Sequence, residues 1–99
     1  MPTQTPITGY IITYSANTFA RSIALKNKTK FVGELYFYSH NTAILPEDTE
    51  TIVNGKPFYA LSYYVEDFVN VVAILKSTKK KFLFFNGSGG LNENGILME

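Results

Sequence analysis

At 99 residues the chain has room for one domain with one core, and eight Phe and seven Tyr in a 45% hydrophobic composition supply the apolar surface that disordered chains lack. Nine Lys/Arg against eight Asp/Glu leave a net charge of +1, so no global field draws the protein to nucleic acid or an anionic membrane, and a charge-driven partner must meet a local patch. The absence of cysteine excludes disulfides, thiol nucleophiles and thiolate metal sites; with no secretory pattern in Met1-Pro2-Thr3-Gln4-Thr5-Pro6 and no apolar run near the roughly 20 residues that span a bilayer, the expectation is a cytoplasmic protein with no membrane partner.

Residues 7–15 alternate, with Tyr10, Ile12 and Tyr14 on one side and Ile11, Thr13 and Ser15 on the other, as a half-buried strand does. Ser15-Ala16-Asn17 supplies turn formers, after which Phe19, Arg21, Ile23 and Leu25 share one face of a second strand. Beyond the polar turn Lys26-Asn27-Lys28-Thr29-Lys30, a third strand sets Phe31, Gly33, Leu35 and Phe37 against Val32, Glu34, Tyr36 and Tyr38, completing a meander. Residues 39–56 hold three turn signals and read mostly as loop, with Asn54-Gly55 favouring a tight hairpin between 51–53 and 56–59.

After position 60 the apolar period changes. Tyr64, Val65, Phe68, Val71, Val72 and Leu75 fall at spacings of one, three and four, which predicts one amphipathic helix over about 63–77 with Ser62 as its N-cap. Glu66 and Asp67 near its start and Lys76 near its end match the helix dipole. Lys80 to Phe85 reads as a strand; the glycine- and asparagine-rich residues 86–95 lead to a closing strand that is unfinished at Ile96-Leu97-Met98-Glu99.

The expected fold is α+β, mostly β: a small curled antiparallel sheet or partly open barrel in the order β-β-β-(β-ribbon)-α-β-β. A helix between the third and fourth long strands is also the order of the OB-fold, a similarity shared with other small barrels.

The catalytic repertoire is thin, and neither a cofactor motif nor a metal motif is present. His40, the one imidazole, lies in a Ser-His-Asn turn and reads as an exposed loop residue. Glu47, Asp48 and Glu50 lack the spacing of a calcium loop and read as turn chemistry. Asn86-Gly87-Ser88-Gly89-Gly90 opens no helix, as a phosphate-binding loop would, and reads as a hairpin.

Two patterns remain. Lys26, Lys28, Lys30, Lys76, Lys79, Lys80 and Lys81 occupy two turns that a continued meander brings to one end, forming a patch for an anionic partner, either an acidic protein or nucleic acid. The tyrosines exceed what a small core holds, which makes Tyr36 and Tyr38, on the face of Glu34, candidates for a protein interface. The expected function is a non-catalytic module that binds protein or self-associates through an aromatic sheet face or strand edge, with a nucleic-acid-binding small barrel as the alternative and an enzyme as the least favoured reading.

Overall fold

The computed structural model describes residues 3–15, 21–87 and 93–99, which form an α+β, mostly β, fold. In chain order the elements are β1 (Thr3–Ile7), β2 (Gly9–Tyr14), β3 (Arg21–Asn27), β4 (Lys30–Tyr38), β5 (Thr49–Val53), β6 (Lys56–Tyr64), a 3-10 turn (Val65–Asp67), α1 (Phe68–Lys76), β7 (Lys81–Phe85) and β8 (Gly95–Met98). The strands make two sheets, one of five in the order β2-β3-β4-β6-β5 and one of three in the order β1-β7-β8, and the two do not close into a barrel.

The alternation in the central strands determines which face is buried. Ile23 and Leu25 of β3, Leu35 and Phe37 of β4, and Tyr59 and Leu61 of β6 all point inward. They meet Ile7, Leu83 and Phe85 from the smaller sheet and Val71 and Leu75 from α1 in one apolar cluster. Aromatic contacts close its end: Phe37 stacks on Tyr63 at 5.5 Å between ring centres and takes the edge of Phe68 at 5.0 Å.

Strands β2, β3 and β4 form the antiparallel meander read from the sequence, although Phe19 lies outside the described residues and Ile7 ends β1 rather than opening β2. The expected all-antiparallel sheet is not kept, because β6 runs parallel to β4, with Gly33 beside Tyr59 and Tyr38 beside Tyr64. The Asn54-Gly55 turn joins β5 to β6. Both residues take left-handed backbone angles, φ 53° and 78°, so β5 and β6 form the hairpin expected there, and the second arm is long enough to insert between β5 and β4.

That insertion also moves the start of the helix. Residues expected in its first turn, Tyr63 and Tyr64, are held in the β4–β6 ladder, and the N-cap assigned to Ser62 is a strand residue whose N–H donates to Asp48 Oδ1 at 2.8 Å. The stripe holds from Phe68 onward, where Val71 and Leu75 are buried and Phe68 and Val72 half-buried.

A second correction concerns β7, which does not extend the meander. It pairs instead with β1, a strand absent from the sequence reading, and with β8. Pro6 disguises β1, since proline cannot donate to a ladder; here it sits on an edge strand, where no donor is required. The bend at Thr8 carries the chain from the small sheet to the large one, and Thr8 N–H donates to the Lys26 carbonyl at 2.8 Å.

At Gly33 the two layers approach closely. A Cβ there would lie 2.7 Å from the Tyr59 carbonyl oxygen and 2.8 Å from Leu83 Cδ1, so only hydrogen lets β6 and β7 both touch β4. Gly33→Ala is expected to destabilise the protein by roughly 1–3 kcal/mol through overpacking, measured as a lower urea midpoint with an unchanged slope. A midpoint equal to that of the parent would mean that this contact relaxes freely.

Candidate functional site

The smaller sheet and α1 cover one face of the five-stranded sheet, and the other face is open. Outward-pointing Ser22, Ala24, Glu34, Ala60 and Ser62 are half-buried, and among the described residues no strand or helix is stacked on this face. The proposed interface residues lie on this face. Tyr36 is exposed and donates its hydroxyl to Glu34 Oε1 at 3.1 Å, and Tyr38 stands beside Tyr64, whose hydroxyl donates to the Thr42 carbonyl at 3.0 Å. Desolvation first, and then the Glu34 charge, raises the Tyr36 phenol above its ordinary value, so it stays a donor throughout the neutral range.

This face reaches the sheet edge at β2 with Ile11, 49% exposed, while Ile12 and Tyr14, 40 and 60% exposed, lie on the opposite side of the same strand, the Tyr14 ring 6.2 Å from that of Phe68. Tyr14 is oriented by Arg21, which donates to its hydroxyl at 2.7 Å and sits 4.5 Å from its ring centre. No signal singled out β2 as a surface, because alternating Ile and Tyr reads equally well as a covered strand.

The lysine turns converge, but by a route other than the expected one. Lys81 pairs with Ile7, the next residue Thr8 is bonded to Lys26, and Lys28 N–H donates to Thr8 Oγ1. One strand spacing and one residue step on each side of the bend put the two turns within roughly 15 Å of each other. Lys81 itself folds back to donate to the Ser77 carbonyl at the end of α1. Lys76, Lys79 and Lys80 are exposed nearby in sequence, with the backbone of Lys80 tied to Glu99 and that of Lys79 to Ser77 Oγ.

A residue missing from the sequence reading, Lys56, joins this end. β4 and β6 both open with lysine, and Lys30 and Lys56 both line the rim between the β3–β4 turn and the β5–β6 hairpin. The nearness of the Lys56 side chain, and then repulsion from its charge, holds the Lys30 ammonium below its ordinary value. Between the β3–β4 turn, the β5–β6 hairpin and β1 lies a groove of about 640 Å³, walled by Phe31, Val32, Pro57 and Phe58 and flanked by the two lysines. Among its described lining residues there is no carboxylate.

A β-bulge brings Phe31 to this site. Strict alternation expects it inside with Gly33 and Leu35, but the register shifts between Leu25 and Lys26, which turns Phe31 out to 51% exposure with Lys26 Nζ 5.4 Å from its ring centre.

The other candidates are placed as follows. His40 is exposed in the loop after β4. Among the described residues no group of three or more His, Cys, Asp or Glu is placed to hold a metal ion. Asp48, from the acidic turn, serves as a clasp: Oδ1 accepts the Ser62 N–H, and Oδ2 accepts Asn94 Nδ2 at 3.0 Å, while Asn94 also bonds Gly87 and Asn86. The glycine-rich segment read as a hairpin falls largely in 88–92, outside the described residues. Among the described residues no helix is long and apolar enough to cross a membrane. No protein-family model matches the chain, and neither the curated proteins nor the solved structures give a significant match.

Tyr63, wedged between Phe37 and this clasp, is raised to about 12 by burial and then by the charges of Asp48 and Asp67. A phenol that ionises near 10 when unfolded and near 12 when folded holds its proton longer in the native state. Its contribution is therefore complete below pH 10 and disappears as pH rises to 12, a loss of roughly 2–3 kcal/mol. Urea unfolding at pH 9 and pH 11.5 should show this fall, and Tyr63→Phe should flatten it; equal falls in both proteins would place the alkaline sensitivity elsewhere.

Proposed function

We propose that the chain is a non-catalytic interaction module that binds protein, in the first instance a second copy of itself, through the β2 edge and the adjoining open face of its five-stranded sheet. The observation that carries this reading is the edge itself. Strand edges present unpaired N–H and C=O groups, and folded proteins usually blunt them with lysine, proline or inward-pointing charge. β2, Gly-Tyr-Ile-Ile-Thr-Tyr, carries none of these over six residues. The opposite edge, β5, bears Glu50 and is one residue shorter.

Self-pairing suits this strand because a two-fold axis through its middle sets the same patch against itself, so one surface suffices for both partners. Antiparallel pairing across that axis continues the sheet into a second copy, satisfies the free backbone groups, and brings the exposed isoleucines together. Tyr36 and Tyr38 lie two strands in from the joint on the open face, offering broad apolar rings with polar tips and few rotors to freeze.

Light scattering across a concentration series is expected to show mass rising above the 11.1 kDa of one chain. Ile11→Lys, which charges the edge at an exposed position, should return the mass to that of one chain while changing folding stability by no more than about 0.5 kcal/mol. Tyr36→Ser with Tyr38→Ser should weaken association without unfolding. A protein that remains a single chain at every concentration, or an assembly indifferent to Ile11→Lys, would overturn self-pairing through β2.

A further inference from the structure

We propose that the groove between the β3–β4 turn and the β5–β6 hairpin is a binding site for a small phosphate monoester with an apolar, ring-sized body, the phosphate held by Lys30 and Lys56 and the body lying against Phe31, Pro57 and Phe58. This site is independent of the pairing surface and would stand if self-association failed.

Size, lining and charge point to the same occupant. The volume of about 640 Å³ falls within the range of pockets that hold small molecules, and, like them, the groove is mainly apolar with few polar groups. Like charges normally keep apart on a protein surface, yet Lys30 and Lys56 line one groove close enough to repel each other, and no described carboxylate lines it to balance them. Their mutual repulsion is felt in the lowered Lys30. An anion that bridges both ammonium groups turns this repulsion into two charge-assisted hydrogen bonds.

A carboxylate neutralises one of the two charges, whereas a monoester phosphate carries about −1.5 to −2 at neutral pH and has three acceptor oxygens, matching the pair. The apolar half of the ligand follows from Phe31. Its ring is 51% exposed, turned outward by the bulge and steadied by Lys26, with Pro57 and Phe58 on the facing wall. A flat ring in contact with these side chains buries surface that the protein otherwise leaves in water. Asn27 and Asn54, also on the rim, add amide groups able to bond polar edges of such a body.

The site needs no metal and implies no reaction. It divides recognition between a charged end and an apolar wall, and ligands that carry only one half should bind poorly.

Three probes separate the halves: inorganic phosphate, phenol and phenyl phosphate, each titrated into the full chain while backbone amide resonances are followed by NMR. Phenyl phosphate is expected to shift the amides of residues 27–32, 53–56 and 58, and to bind at least about tenfold more tightly than either of the other probes. Lys30→Ala with Lys56→Ala, both exposed positions, should cost about tenfold or more in affinity, while Lys79→Ala with Lys80→Ala should change it by less than about twofold. The proposal is overturned if phenyl phosphate leaves these amides unmoved, if it binds no better than phosphate alone, or if the two double variants behave alike. A single-stranded oligonucleotide or an acidic peptide that occupies the groove where phenyl phosphate does not would also overturn it, and would assign the lysine end to a macromolecule.

Discussion

The parallel pairing of β4 with β6 is the constraint on which the rest of this molecule depends. It is anchored where Gly33 lies beside Tyr59, at the point where the small sheet presses Leu83 onto the large one. With no side chain on Gly33, three strands share one crossing. From that register the positions of the candidate surfaces follow by counting. Toward the end of each strand Tyr36 meets Ser62 and Tyr38 meets Tyr64, and ahead of the paired stretch Lys30 and Lys56 line one groove. A shift of one residue would send every side chain of β6 to the opposite face, burying Phe58 and exposing Tyr59, so the core and both surfaces fix the register together.

Local rhythm made part of this fold legible in the sequence. β3 and most of β4 alternate as half-covered strands do, and Asn54-Gly55 declares its hairpin. The helical stripe is accurate once past Phe68. Its early end was misread because residues 59–65 satisfy two periods at once: Tyr59, Leu61 and Tyr63 step by two, while Tyr64, Val65 and Phe68 step by one and three. Tertiary pairing decides between the two. The β4 edge holds Tyr63 and Tyr64 in its ladder, and stacking on Phe37 adds to the preference for extended backbone.

What the sequence hid is nonlocal. No residue pattern announces that a hairpin arm will insert beside a strand that precedes it by some 20 residues, and β1, with Pro6 and one buried isoleucine, resembles an unstructured lead-in. The lysine turns illustrate how far the path of the chain departs from a continued meander. A continued meander would have brought the turns together, but the chain achieves this by passing β1 through both neighbourhoods, pairing Ile7 with Lys81 and bonding Thr8 to Lys26. Lys56 escaped notice because it stands alone in sequence and joins Lys30 only at the groove between the β3–β4 turn and the β5–β6 hairpin. Tyr36 and Tyr38, by contrast, were legible as outward residues because a strand with Gly33, Leu35 and Phe37 buried leaves them one direction to point.

The two surfaces are also mechanically separate. β4 runs from the lysine groove at Lys30 to the tyrosine face at Tyr38, eight residue steps or roughly 26 Å of strand. At such a separation, without shared partners, effects on the two should add rather than couple. The bulge at Leu25 and Lys26 reinforces the division. It breaks the strict alternation at one end of β4, freeing Phe31 for the groove, while the residues beyond Gly33 keep regular pairing and a flat face. A single strand can therefore present an apolar wall beside positive charge at its start and a tyrosine face beside Glu34 toward its end, because one irregularity lets the two stretches follow different rules.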